Sequence, residues 1–128
     1  MSHQVIQTTE APAAIGPYSQ GIVAGPWLFV SGQLGMLPAT GELISSQFAD
    51  QARQALENLK QIILSAGFDL TMVTSVDVFV TDLAHFVEFN RIYGEFFDKH
   101  YPARAVIEVS ALPKKGCVEI KCAARRIS

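Results

Sequence analysis

The side chains in this sequence best suited to holding a small polar ligand are the Arg104 guanidinium, the Tyr18 phenol, the Asn90 carboxamide and the hydroxyl–glycine–amide run Ser31-Gly32-Gln33. Arg104 lies in Tyr101-Pro102-Ala103-Arg104-Ala105-Val106-Ile107-Glu108-Val109. Pro102 stops any preceding helix and pushes its neighbour towards extended backbone. Beyond it, Ala103, Ala105, Ile107 and Val109 alternate with Arg104, Val106 and Glu108, the period of a strand. A guanidinium at the mouth of that strand, between small residues, presents a planar fork of donors for a carboxylate or phosphate. It can equally be a surface arginine in an ion pair, and this stretch alone does not choose between the two. Tyr18 and Ser19 stand in a Pro/Gly-rich loop, residues 11–21, that is either functional or a tight connection. Gly32 would let a ligand approach the backbone between Ser31 and Gln33, or the triplet marks a strand end with a bulge.

The elements that position these groups follow from periodicity. Val5-Ile6 is a short strand, and Ile22–Ala24 and Trp27–Gly32 form a hairpin about Gly25-Pro26. After a turn at Pro38–Gly41, a helix carries Phe48, Ala52, Ala55, Leu59, Ile62 and Ala66 on one stripe, widened by Leu56 and Ile63. Ser45 or Ser46 is expected to cap it, Asp50 to favour its positive end, and Gly67 to stop it. Val73–Val80 is a strand with Val76, Val78 and Val80 on one face. Asp82 is expected to cap a second helix with Phe86, Phe89, Tyr93 and Phe96 or Phe97 as its core stripe, ending near His100. Asn90 lies beside that seam, within reach of a pocket at its edge. The Arg104 strand follows, then a turn at Leu112–Gly116 and a last strand, Cys117–Arg125.

This order predicts one α+β domain spanning residues 1–128, a mixed sheet with both helices on one face. Val76, Val78, Ile107, Ile120 and Cys122 are expected to face the helices. Ser75, Asp77, Phe79, Arg104, Glu108, Glu119 and Lys121 are expected on the open face. The chain has 128 residues, 49% of them hydrophobic and 17% charged, so it should bury about two-thirds of its unfolded surface. A mean hydropathy of +0.24 with no third helix to cover the sheet points to neighbouring subunits on the open face. Ligand clefts would then lie between subunits. Net charge −2 gives no footprint for nucleic acid, and the late cluster Lys114, Lys115, Lys121, Arg125 and Arg126 reads as a solvated edge. No apolar run approaches the ~18 residues of a membrane span, and the polar start lacks a signal-peptide core, so the cytoplasm is the expected location. Cys117 and Cys122 fall on opposite faces of a strand and should stay reduced. With His3, His85 and His100 scattered, no metal site is expected.

Several stretches together resemble the RidA/YjgF/UK114 family of reactive-intermediate deaminases: Ala14–Gly21, Val30–Gln33, Gln51–Asn58, Pro102–Arg104 and Val118–Ile120. They run in the family's order over essentially the whole chain. The resemblance implies a trimeric chorismate-mutase-like fold, a homotrimer with a site in each inter-subunit cleft. It also implies cofactor-independent hydrolysis of 2-imino acids or their enamine tautomers to 2-keto acids and ammonia. Such imines, 2-iminobutanoate and 2-iminopropanoate among them, are released by pyridoxal-phosphate dehydratases. Carried over by position, Arg104 is the carboxylate-binding arginine and Glu119 the glutamate linked to the attacking water. Tyr18, Ser31 and Asn90 line the pocket, and the Gly32 backbone lies against the ligand.

One position departs from the pattern: where many bacterial members have cysteine two residues after the arginine, this chain has Val106. Valine cannot act as a nucleophile or be oxidised, so the site is more apolar and relies on water. Two other readings accompany the resemblance: a ligand-binding or chaperone-like trimer without turnover, and a translation-inhibiting ribonuclease. Arg104 separates the first from the deaminase, and the acidic balance argues against the second.

Overall fold

The computed structural model describes residues 3–127. Its strands are β1 (Gln4–Ile6), β2 (Gly21–Ala24), β3 (Trp27–Leu34), β4 (Val73–Val80), β5 (Ala103–Glu108) and β6 (Val118–Arg125). They form one sheet in the order β1-β2-β3-β6-β4-β5, antiparallel throughout except for the parallel pair β4–β5. Helices α1 (Phe48–Ser65) and α2 (Phe86–Phe96) pack on one face of it.

The α1 stripe is the centre of the core. Ala52, Ala55, Leu56, Leu59, Ile62 and Ile63 are all buried, against Leu28, Val76, Val78, Val118 and Ile120 from the sheet. Each buried Leu or Ile of that stripe contributes about 1.5–3 kcal/mol. The helix stops as its sequence predicts. Gly67 takes φ +80°, its N–H donates to Leu64 O, and the Phe68 N–H donates to Ile63 O, a Schellman closure. The start differs from expectation. The N-cap position is Gln47, while Ser45 Oγ accepts from the Gln47 N–H and donates to Asp50. Asp82 caps a short 3₁₀ turn, Leu83–His85, ahead of α2, and α2 ends at Phe96 rather than near His100. The Phe97 backbone has left the helical region, and the His100 ring is occupied instead by the Val73 carbonyl at 2.9 Å.

Two buried amides lock α1 to the end of β3 and the start of β6. Asn58 Nδ2 donates to Leu34 O and Met36 O. Gln51 Nε2 donates to Ser45 O, and Gln51 Oε1 accepts from the Cys117 N–H. The approach is so close that a Cβ on Gly35 would stand 2.5 Å from the Gln51 backbone.

Face assignments along β5 are corrected by its register. Arg104 pairs with Val76, Val106 with Val78 and Glu108 with Val80, so these three share the helix-side face, whereas Ile107 pairs with Phe79 on the open face. The expected faces are therefore exchanged for Arg104, Glu108 and Ile107. On the other strands the expectation stands: Asp77 opposes Lys121 and Phe79 opposes Glu119 on the open face. That face also exposes Val5, Trp27, Phe29 and Ile107.

Candidate functional site

A cavity of about 520 Å³ opens on the open-face side of the sheet, lined by Tyr18, Ser31, Gly32 and Glu119 together with Ile15, Leu34, Met36 and Lys114. Its floor is a bulge in β3: pairing with β6 is regular to Val30 and resumes, shifted, at Gln33. The one extra residue re-aims Ser31 and Gly32. The Ser31 N–H donates to Gln20 O at 2.9 Å and its Oγ to Ser19 O at 2.5 Å, fastening the Tyr18 loop across the strand. That hydroxyl proton is spent on the loop, leaving Ser31 only its lone pairs for a ligand. Gln20, buried, ties the same loop to the N-terminal segment through Thr8 and Pro12. Tyr18 is half exposed at the mouth, with its hydroxyl accepting weakly from the Ile15 N–H at 3.4 Å.

Gly32 has a steric purpose. A Cβ there would lie 2.9 Å from Glu119 Oε2 and 3.0 Å from its carboxyl carbon. The carboxylate therefore rests on the bare α-carbon. Burial raises the Glu119 pKa above its ordinary 4.5, because desolvation penalises the charged form. Such a carboxylate is a better proton acceptor than a solvated one. Gly32→Ala should push it aside and reduce any turnover that uses it by at least about tenfold, with KM little changed, as steady-state kinetics would read. Unchanged kcat in that variant would separate the Glu119 position from catalysis. Over the cavity's far wall, Lys114 and Lys115 both adopt φ +59°, and Lys114 Nζ donates to Gly41 O. The sequence reads the two lysines as part of a turn and a solvated edge, and it does not place Lys114 or Ile15 at a cavity, since nothing in a Lys-Lys pair announces a left-handed turn.

Arg104 and Asn90 belong to a second groove, of about 360 Å³, lined also by Tyr93, Gly94, Tyr101 and Pro102. Arg104 Nη1 donates to Asn90 Oδ1 at 2.8 Å. Its guanidinium carbon lies 4.8 Å from the Tyr93 ring centre and 5.8 Å from that of Phe86. Phe86, Asn90 and Tyr93 are spaced i, i+4, i+7 and so lie along one strip of α2, the signal that could have joined the two aromatics to the arginine. They read instead as core because the same residues continue the apolar stripe. Val106, two residues on, sits on the Arg104 face of β5 packed against the core, outside the groove lining.

Within one chain, then, the predicted residues fall into two sets. Tyr18, Ser31, Gly32 and Glu119 come together, as do Asn90 and Arg104. The sets do not meet, since Glu119 projects from the open face of β6 and Arg104 from the helix-side face of β5, with β4 between. β5 is the last strand of the sheet, with its outer edge unpaired among the described residues.

A family model described as endoribonuclease L-PSP matches residues 8–126. The chain belongs to that family. Among curated members, this L-PSP chain is 52% identical to a RutC family protein of Sinorhizobium fredii over 91% of its own length and 92% of the relative's. It is 45% identical to the bovine protein named 2-iminobutanoate/2-iminopropanoate deaminase, over 94% of its own length and 88% of that protein's. Its fold matches the crystal structure of Escherichia coli TdcF with bound serine at a TM-score of 0.92 and 42% identity, covering 97% and 99% of the two chains. The RidA/YjgF/UK114 resemblance of the sequence is thus that of an L-PSP family member in fold as well.

Proposed function

We propose that this protein is a cofactor-independent deaminase that hydrolyses 2-imino acids, 2-iminobutanoate and 2-iminopropanoate foremost, to 2-keto acids and ammonia. The observation that carries this reading is the pair of complementary half-sites on one chain: a guanidinium fork at Arg104 and a half-buried carboxylate at Glu119. In a homotrimer, the Arg104 groove of one subunit faces the Glu119 cavity of the next, with β5 and the open face at the joint. Arg104 holds the substrate carboxylate by two parallel N–H···O bonds and so sets the imine carbon in place. Glu119 accepts a proton from water as that water adds to the carbon of the protonated imine. The tetrahedral adduct collapses when its nitrogen, protonated from Glu119, leaves as ammonia while the re-formed Glu119 carboxylate takes the hydroxyl proton and the C–O bond becomes a carbonyl. That proton then passes to the departing ammonia, which is released as ammonium. Tyr18 closes the mouth, Ser31 holds the Tyr18 loop, and Asn90 holds Arg104. Val106, packed against the core, brings no thiol to the site. No step calls for a cofactor.

Imines of this kind arise where dehydratases release them, which places the enzyme in the cytoplasm as a guard against reactive intermediates. The ribonuclease of the family's description finds less support here, as a net charge of −2 supplies little of the electrostatic attraction on which phosphate binding depends. The test is keto-acid release from 2-iminobutanoate and 2-iminopropanoate generated in situ by a dehydratase. Acceleration over the spontaneous rate is the expected result. A well-folded protein that gives none is no deaminase, and binding of keto acid without turnover would make it a ligand-binding trimer.

A further inference from the structure

We propose that Tyr93 is the positioning residue for Arg104: its ring face sets the plane in which the guanidinium can take a carboxylate. This rests on the reading of Arg104 as the ligand-binding fork. An arginine exposed on an edge strand would ordinarily sample many rotamers, and a fork that must meet a planar carboxylate loses affinity with every one of them. Here the guanidinium is held on two sides, with the Phe86 ring, at 5.8 Å, a more distant third contact. The Tyr93 ring lies beneath it, with 4.8 Å from the ring centre to the guanidinium carbon, and Asn90 Oδ1 takes one Nη1–H at 2.8 Å. Face and one corner are thereby engaged. The Nε and Nη2 groups have no hydrogen-bond partner among the described residues, and they form the edge that matches a carboxylate bidentately.

Tyr93 is itself rigid. It is 4% exposed, in contact with Phe89 at 5.6 Å and Phe97 at 4.8 Å between ring centres, so the platform cannot turn with the arginine. Its hydroxyl is buried without a hydrogen-bond partner, and burial pushes its pKa up to about 12, against the opposing pull of Arg104. The phenol thus stays neutral, and Tyr93 meets Arg104 through its ring and not through an ion pair. A sequence needing only a core aromatic would lose nothing with phenylalanine. That makes the ring the testable part: Tyr93→Phe keeps the platform, and Tyr93→Leu removes it.

Nuclear magnetic resonance of the intact, ligand-free protein tests this without turnover. In the wild type, Arg104 side-chain protons over the ring face should be shifted upfield and its guanidinium signals resolved by slow rotation. Both features should persist in Tyr93→Phe and collapse to those of a free arginine in Tyr93→Leu. In the deaminase assay, Tyr93→Leu should raise KM about tenfold with kcat within about threefold, and Tyr93→Phe should restore the wild-type KM. An Arg104 with free-arginine shifts in the wild type overturns the proposal even if Tyr93→Leu fails to fold. So does a folded Tyr93→Leu with unchanged Arg104 signals and KM. If the wild type turns over no imine, the resonance arms still decide the placement of Arg104, and the two failures remain separate.

Discussion

Replacing Arg104 by alanine should lower kcat/KM for 2-iminobutanoate by about a thousandfold while the protein keeps its fold and assembly. Two charge-assisted hydrogen bonds to a carboxylate, at roughly 1.5–3 kcal/mol each, account for that factor, since tenfold corresponds to about 1.4 kcal/mol. The structural cost is small. Arg104 is exposed on the last strand, and its internal ties are one hydrogen bond to Asn90 and contact with two rings. Thermal unfolding should therefore shift by no more than the equivalent of about 1 kcal/mol. Arg104→Lys should recover only part of the loss, because an ammonium supplies charge without the planar fork. Steady-state kinetics beside a melting curve reads both quantities. Wholesale unfolding of Arg104→Ala would make the residue structural instead.

Glu119→Gln should lower kcat by about 10²–10⁴-fold with KM nearly unchanged, the usual range for removing a general base. Its pH behaviour is the sharper signature. The acidic limb of the wild-type profile should lie above 4.5, because burial raises this carboxyl and only the ionised form accepts a proton. In Glu119→Gln that limb should vanish. Stability moves the other way. A carboxyl whose pKa is higher folded than unfolded contributes stability that is complete at low pH and lost as pH rises through the folded value. Glu119→Gln should thus melt no lower than wild type at pH 7, while its activity collapses. A variant equally inactive and clearly less stable at pH 7 would make Glu119 a fold residue.

The sequence was most legible where burial and period agree. The α1 stripe, β4 and β6 needed only alternation and a glycine stop, and each lies where its pattern places it. β5 was read in the wrong phase for a physical reason. Ala103, Ala105 and Ile107 outnumber Val106 as apolar residues, so hydrophobicity assigned them inward, yet on an exposed edge strand the helix-side face is where α2 offers Asn90 and Tyr93 to an arginine. The Ser31-Gly32 ambiguity was real: the structure makes it a bulge, and the bulge lines the cavity. Gly32's need for a bare α-carbon was out of reach of local pattern, since the atom it makes room for comes from Glu119, far along the chain. The loss of the Ser31 proton to Ser19 was hidden for the same reason.

In the proposed homotrimer, the opposite orientation of Arg104 and Glu119 on each chain carries a genetic consequence. Two inactive proteins, Arg104→Ala and Glu119→Gln, each keep one half intact. Unfolded together and reassembled in equal amounts, they should cure one another wherever a sound groove from one copy meets a sound cavity from the other. Random mixing gives about one such junction in four, so roughly a quarter of wild-type activity should return from two dead parents. A pair of lesions within the same half, such as Arg104→Ala with Asn90→Ala, should return nothing.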